Sequence, residues 1–148
     1  MGSCRVLWRC TGTDGSRTRW WLTYHYRLNN SDGSLDLMQQ VELSPDAADY
    51  GAEIAIGPGG EHVYASSRGS GIVLVYRITE DHHLEKVQEF YLGGTWPRHF
   101  AIKGDMMVVA DQRGDSVQLL TINKETGMLN GGDMVKTGEQ PAFVCFVD

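Results

Sequence analysis

A chain of 148 residues, 41% hydrophobic and 22% charged, is long enough for one domain, and its lack of any apolar run near 18 residues excludes a membrane-spanning helix. Glycine at 18 residues is about 12%, above the ordinary share near 7%, while proline is only four, which excludes a Pro-rich disordered chain and points to many tight turns. The net charge of -6 is uneven: residues 1–20 hold four Arg and one Asp, so the remainder is strongly acidic, and its field argues against nucleic acid or membrane partners.

Residues 1–20 lack the apolar core of a secretory leader and are read as an atypical, disordered leader without assigned function. Three cysteines (Cys4, Cys10, Cys145) form neither an even framework nor a CxxC pair, which fits a reducing, cytoplasmic setting. From residue 21 onward the chain reads as strands. Trp21–Leu28 alternates, a polar turn follows at Asn29–Leu35, and a short strand is expected at Val41–Leu43. Glu53–Ile56 heads a new unit, with Gly57–Gly60 as a hairpin turn and a second strand closing on Ala65-x-x-Arg68-Gly69. Ile72–Ile78 is an apolar strand behind it. A second unit begins at His99–Ile102, closes on Ala110-x-x-Arg113-Gly114, continues through Val117–Ile122, and ends with a turn at Asn123–Leu129 before Met134–Lys136. Phe143–Phe146 is a third head; the heads start 46 and 44 residues apart. Four short strands per unit at a period near 45 predict an all-β fold, a partial β-propeller of about three four-stranded antiparallel blades over residues 21–148. Because closed propellers hold about four to eight blades, the outer faces of this arc are expected to be open and to favour self-association through the blade edges.

The run GAEIAIGPGGEHVYASSR from Gly51 to Arg68 resembles the lactonase-type β-propeller family, to which propeller-type 6-phosphogluconolactonase and carboxymuconate cyclase belong. GTWPRHFAIKGDMMVVADQRGDSVQLLTI from Gly94 to Ile122 and EQPAFVCFVD at the end resemble its following blades. The resemblance implies about seven blades in the family, of which this chain matches the carboxy-terminal part, and hydrolysis of a sugar lactone by acid–base chemistry in the channel without a cofactor. The substrate would be a small anionic lactone or sugar acid. Nothing in residues 1–20 matches the channel His and Arg that the family's amino-terminal blades supply, and Ser67 stands where the family carries Asn before the blade-ending Arg.

Carried onto this sequence, the resemblance makes Glu53 and Arg98 the catalytic candidates and Arg68 and His99 the substrate-binding ones. A half-buried carboxylate at a strand head is a competent general base, and a rim ion pair to Arg68 or Arg98 is the structural alternative. Guanidinium grips a carboxylate or phosphate through two bonds, and Pro97 fixes the backbone presenting Arg98. Arg98 stands where the other heads have Ala52 and Ala142, which favours ligand contact. The repeat motif aligns Arg68 with Arg113, which points Arg113 towards packing. His99 aligns with Glu53, and Trp96 is placed to flank the channel mouth. No metal site is expected: His82 and His83 are adjacent on a turn, and His25 and His62 lack ligand partners at a suitable spacing. The Gly57–Gly60 run opens no helix, so it is no phosphate loop, and without a Gly-x-Ser-x-Gly elbow, and with Cys145 in an apolar strand, nucleophilic catalysis is disfavoured. A non-catalytic propeller fragment that binds a ligand or assembles with other chains is the alternative function.

Overall fold

The computed structural model describes residues 22–44 and 49–147, together with the backbone of residues 12–13 and 18–19. Two-residue strands β1 (Gly12–Thr13) and β2 (Thr18–Arg19) pair with each other. The rest of the expected leader lies outside the described residues. A hairpin follows, β3 (Leu22–Leu28) and β4 (Leu35–Glu42). Then come two four-stranded antiparallel meanders. The first runs β5 (Gly51–Ile56), β6 (His62–Ser67), β7 (Ile72–Ile78) and β8 (Leu84–Tyr91). The second runs β9 (Pro97–Lys103), β10 (Met106–Asp111), β11 (Ser116–Ile122) and β12 (Leu129–Lys136).

The predicted blades are therefore present, two of them complete. The β3–β4 hairpin corresponds to the outer two strands of a blade, and residues 141–147 correspond to the inner strand of another, though no ladder partner for them lies among the described residues. The outermost strands start earlier than their sequence suggested, at Leu35 and Leu129 rather than Val41 and Met134. Asp36, Gln40 and Asn130 are exposed on them, and this polarity disguised strand as turn.

The first complete blade buries both faces, one against each neighbour, so β6 is buried at every position and β7 from Ile72 to Tyr76. Alternation sorts the side chains between two cores. Val63, Ala65, Leu74, Tyr76 and Leu84 face back onto Leu43 and Val41 of the hairpin. Tyr64, Val73 and Val75 face forward onto Phe100, Met107, Val109, Leu120 and Leu129 of the next blade. Each fully buried aliphatic side chain contributes about 1.5–3 kcal/mol, so the two inter-blade layers carry the stability of the arc. The Gly-Pro-Gly-Gly segment is the hairpin turn between β5 and β6, a 3-10 turn over Pro58–Gly60 with Gly59 at φ 84. Gly57 is needed there for a second reason, since a β-carbon would press into the Tyr64 ring at 2.5 Å.

Candidate functional site

The inner strands β5 and β9 share a distortion that the sequence did not announce. On β5, Gly51 pairs with Ser67 and Ile54 with Ala65, so Ala52 and Glu53 together oppose Ser66. On β9, Pro97 pairs with Asp111 and His99 with Ala110, which leaves Arg98 as the extra residue. Bulges at sheet ends re-aim side chains, and here they do so at the same repeat position in both blades. The main chain at the first bulge is held by the Ser66 hydroxyl, which accepts the Glu53 N–H at 3.0 Å.

These bulges bring Glu53 and His99 together. The His99 Nε2 lies 3.2 Å from Glu53 Oε2, with the two side chains 18% and 32% exposed. On the other side of the ring, the Val144 N–H donates to His99 Nδ1 at 3.4 Å, and the Phe143 ring packs with its centroid 4.2 Å from that of His99. Since Nδ1 accepts, the proton sits on Nε2, and His99 is a neutral imidazole donating to the Glu53 carboxylate. Glu53 Oε1 accepts the Ile54 N–H at 3.1 Å, so the carboxylate is fixed at both oxygens. Glu53, His99 and Phe143, one from each head, thus lie in contact side by side.

The alternative reading of Glu53, an ion pair to Arg68 or Arg98, is not what the structure holds; among the described residues the side chain that its carboxylate meets is His99. Arg98 is exposed at its bulge. Arg68 donates to the Gly51 carbonyl at 3.2 Å, and its guanidinium lies 5.5 Å from the Tyr50 ring and 5.8 Å from the Trp96 ring. Trp96 is half-buried, 6.1 Å from Tyr50, and carries the Arg113 guanidinium over its face at 3.4 Å. Two aromatic and two cationic side chains therefore form one rim cluster beside the bulges.

The alignment of Arg68 with Arg113 needs correction. The Arg68 N–H donates to the Tyr50 carbonyl and the Gln112 N–H to the Trp96 carbonyl, so the equivalent of Arg68 is Gln112. Gly71 and Asp115, both at positive φ, confirm an offset of 44. Arg113 falls one position later, and Arg68 is particular to its blade.

Two buried carboxylates that the sequence reading passed over organise the loops around this rim. Asp111 accepts from the N–H groups of Thr95 and Trp96, and a β-carbon on Gly94 or Gly114 would collide with its carboxylate. Asp49 accepts from Tyr50, Gly69 and Ser70. Burial pushes its pKa up, but the bonds from Ser70 and the Tyr50 backbone outweigh this and hold it below the ordinary value. Asp49 carries no label in its neighbouring sequence that would set it apart from a surface Asp.

The remaining histidines lie elsewhere. His82 and His83 sit in the turn before β8, as expected. His25 is fully buried against that turn, and burial, with His83, His82 and Arg27 adding to it, pushes its pKa down. Among the described residues no group of three His, Cys, Asp or Glu side chains is placed to hold a metal, and no helix is long and apolar enough to cross a membrane. A cleft of about 290 Å³ between the blades, lined by Pro58, His62, Tyr64, Ile122 and Lys124, opens at the far end of β5 from Glu53. Lys124 there is paired with Asp105 at 3.3 Å.

The family model described as "Lactonase, 7-bladed beta-propeller" matches residues 23–147. A 6-phosphogluconolactonase of Enterobacter sp. (strain 638) is 31% identical over 124 residues, 80% of this chain and 38% of the relative. A 6-phosphogluconolactonase of Klebsiella pneumoniae (strain 342) is 26% identical over a match of the same extent. Among solved structures, a candidate 6-phosphogluconolactonase of Bacteroides fragilis superposes with a TM-score of 0.79 at 28% identity, over 87% of this chain and 36% of that one. This chain spans well under half the length of these relatives.

Proposed function

Because the chain belongs to the lactonase family of seven-bladed β-propellers, we propose that it hydrolyses a sugar lactone by general-base chemistry at Glu53. The observation that carries the reading is the Glu53–His99 pair, set by matching bulges on adjacent inner strands. In the reaction, Glu53 takes a proton from water as the water oxygen attacks the lactone carbonyl. The ring C–O bond then breaks, and the same proton returns to the departing alkoxide, leaving an acid and a hydroxyl. His99 donates to Glu53 and holds its base form in position. Arg98 is exposed and unpaired among the described residues, so it is the group offered to an anionic substrate and to the developing oxyanion, with Arg68 set behind the rim. The first substrate to try is 6-phosphogluconolactone, the substrate named by the Enterobacter and Klebsiella relatives. The scheme calls on no cofactor. The sparse, odd cysteines support a cytoplasmic setting, and the open blade faces support self-association.

The test is acid release from the lactone at constant pH by the purified chain, with Glu53→Gln alongside. Turnover above the uncatalysed rate that drops about a hundredfold in the variant supports the proposal, because Gln keeps the bond to His99 and loses the base. Equal rates in the two proteins overturn it. The second reading, a non-catalytic binding or assembly fragment, is favoured by the 38% coverage of the relatives. Calorimetric binding of the sugar acid without any turnover would select it.

A further inference from the structure

The outer edges of the blades carry a repeated contact that neither the family assignment nor the chemistry at Glu53 uses. The Gln39 side chain on β4 donates from Nε2 to the Leu84 carbonyl at 2.9 Å and accepts the Leu84 N–H at 2.6 Å. One blade on, Gln88 on β8 does the same with Leu129, at 2.9 and 2.7 Å. The carboxamide thus mimics a strand, clasping both main-chain groups of the first residue in the next blade's outer strand.

The geometry behind the clasp is the same in all three outer strands. Each begins with a leucine, Leu35, Leu84 or Leu129, and four residues later comes Gln39, Gln88 or Asp133. A bulge precedes each of these, at Met38, Val87 and the Gly132–Asp133 step, turning the side chain towards the following blade. The three leucines occupy equivalent ladder positions, opposite Leu28, Ile78 and Ile122, beyond a turn bond from Asn29, Thr79 or Asn123. In that position the leucine N–H and carbonyl point away from the hairpin partner and towards the neighbouring blade. Leu84 and Leu129 are 5% and 2% exposed beneath their clasps, whereas Leu35 is 45% exposed, and no Gln among the described residues reaches it. At the other end of the arc, Asp133 stands in the Gln position. The forward face around it is open, with Val108, Val117 and Leu119 half-buried and Val135 exposed, where the equivalent Tyr64, Val73 and Val75 are fully buried.

We propose that a second copy of this chain docks head to tail on that forward face, with its β3–β4 hairpin as the outer strands of the blade begun by residues 141–147. Asp133 then accepts the Leu35 N–H of the second copy. The two open faces are the front and back of an interface the chain already makes twice, and they match over the outer two strands that the hairpin supplies. A carboxylate accepts but cannot donate, so this seam carries one of the two clasp bonds and is the weak one. The proposal rests on the reading of self-association above and adds its register and its determinants.

Mass measured by light scattering across a concentration series reads the association, with circular dichroism confirming the fold of each variant. Asp133→Gln supplies the missing donor and should tighten association about tenfold, the effect of roughly one hydrogen bond. Leu37→Glu, on the exposed backward face of the hairpin, and Val135→Glu, on the forward face, should each give a monomer, and an equal mixture of the two should form a dimer through the one undamaged pair of faces. A wild-type monomer at every concentration overturns both the self-association and its register. An oligomer indifferent to Asp133→Gln and Leu37→Glu overturns the register alone.

Discussion

The inner and outer ends of the same blades obey opposite rules. At the outer edge, equivalent positions hold equivalent residues: Gln39 and Gln88 clasp Leu84 and Leu129 in the same way. At the inner end, three equivalent positions hold Glu53, His99 and Phe143, an acid, an imidazole and a phenyl ring, with the imidazole meeting both of the others. Backbone distortion is common to both ends, since bulges occur at each, but at the outer edge they aim a constant side chain and at the inner end a variable one. In a repeat protein, sameness marks the contacts that stack the units, and divergence within a shared geometry marks the place where chemistry is set.

The largest expected effect tests the stacking layer. Tyr64→Ala empties a fully buried site and removes the hydroxyl bond to the Gly127 carbonyl, at a cost of about 3–5 kcal/mol. That approaches the whole stability of a marginal domain, so urea titration should find little folded protein. Next comes the inner end, where His99→Phe imposes the residue of the third head. It should lower lactone turnover about tenfold, with the melting temperature changed little, because Glu53 loses its donor while the packing on Phe143 is retained. A large loss of stability with unchanged turnover would reverse the assignment of roles between the two ends.

How much of this could be read beforehand depends on what the residues had to declare. The period, the three heads, the hairpin turn at Gly57–Gly60 and the pairing of Glu53 with His99 as equivalents were legible, because alternation and turn residues write them directly into the sequence. The bulges were not, since an extra residue in a strand leaves no composition signal, and without them the direction of Glu53 is undetermined. The matching of Arg68 with Arg113 followed identical letters in the Ala-x-x-Arg-Gly pattern, whereas main-chain bonds set the true offset and pair Arg68 with Gln112. The Leu-x-x-x-Gln clasp was visible as letters and passed unseen, because Leu35 and Leu129 were read as turn.

Gln88→Ala sharpens the outer side of the comparison. It leaves the Leu129 N–H and carbonyl unmet at a covered position, a loss of about 1–3 kcal/mol, whereas Asp133→Ala should leave the stability of the isolated chain unchanged. Equal effects from the two would deny that the clasp is a stacking device. The smallest effect is on pH. Because the folded His25 has its pKa held below the ordinary 6.5, its contribution to stability is complete above about pH 6.5 and declines as pH falls below that. Unfolding free energies from urea titration should fall further between pH 7.5 and 5.5 in the wild type than in His25→Gln.

Cys145 gives the inner end a means of being watched. It is an exposed free thiol two residues beyond Phe143, on the segment that holds His99 through the Val144 N–H. With Cys4 and Cys10 replaced by Ser, a small fluorophore on that thiol becomes a reporter within a few residues of the imidazole. Ligand binding beside Glu53 would then be followed as a change in emission on a stopped-flow timescale, which matters because the proposed lactone hydrolysis releases no coloured product.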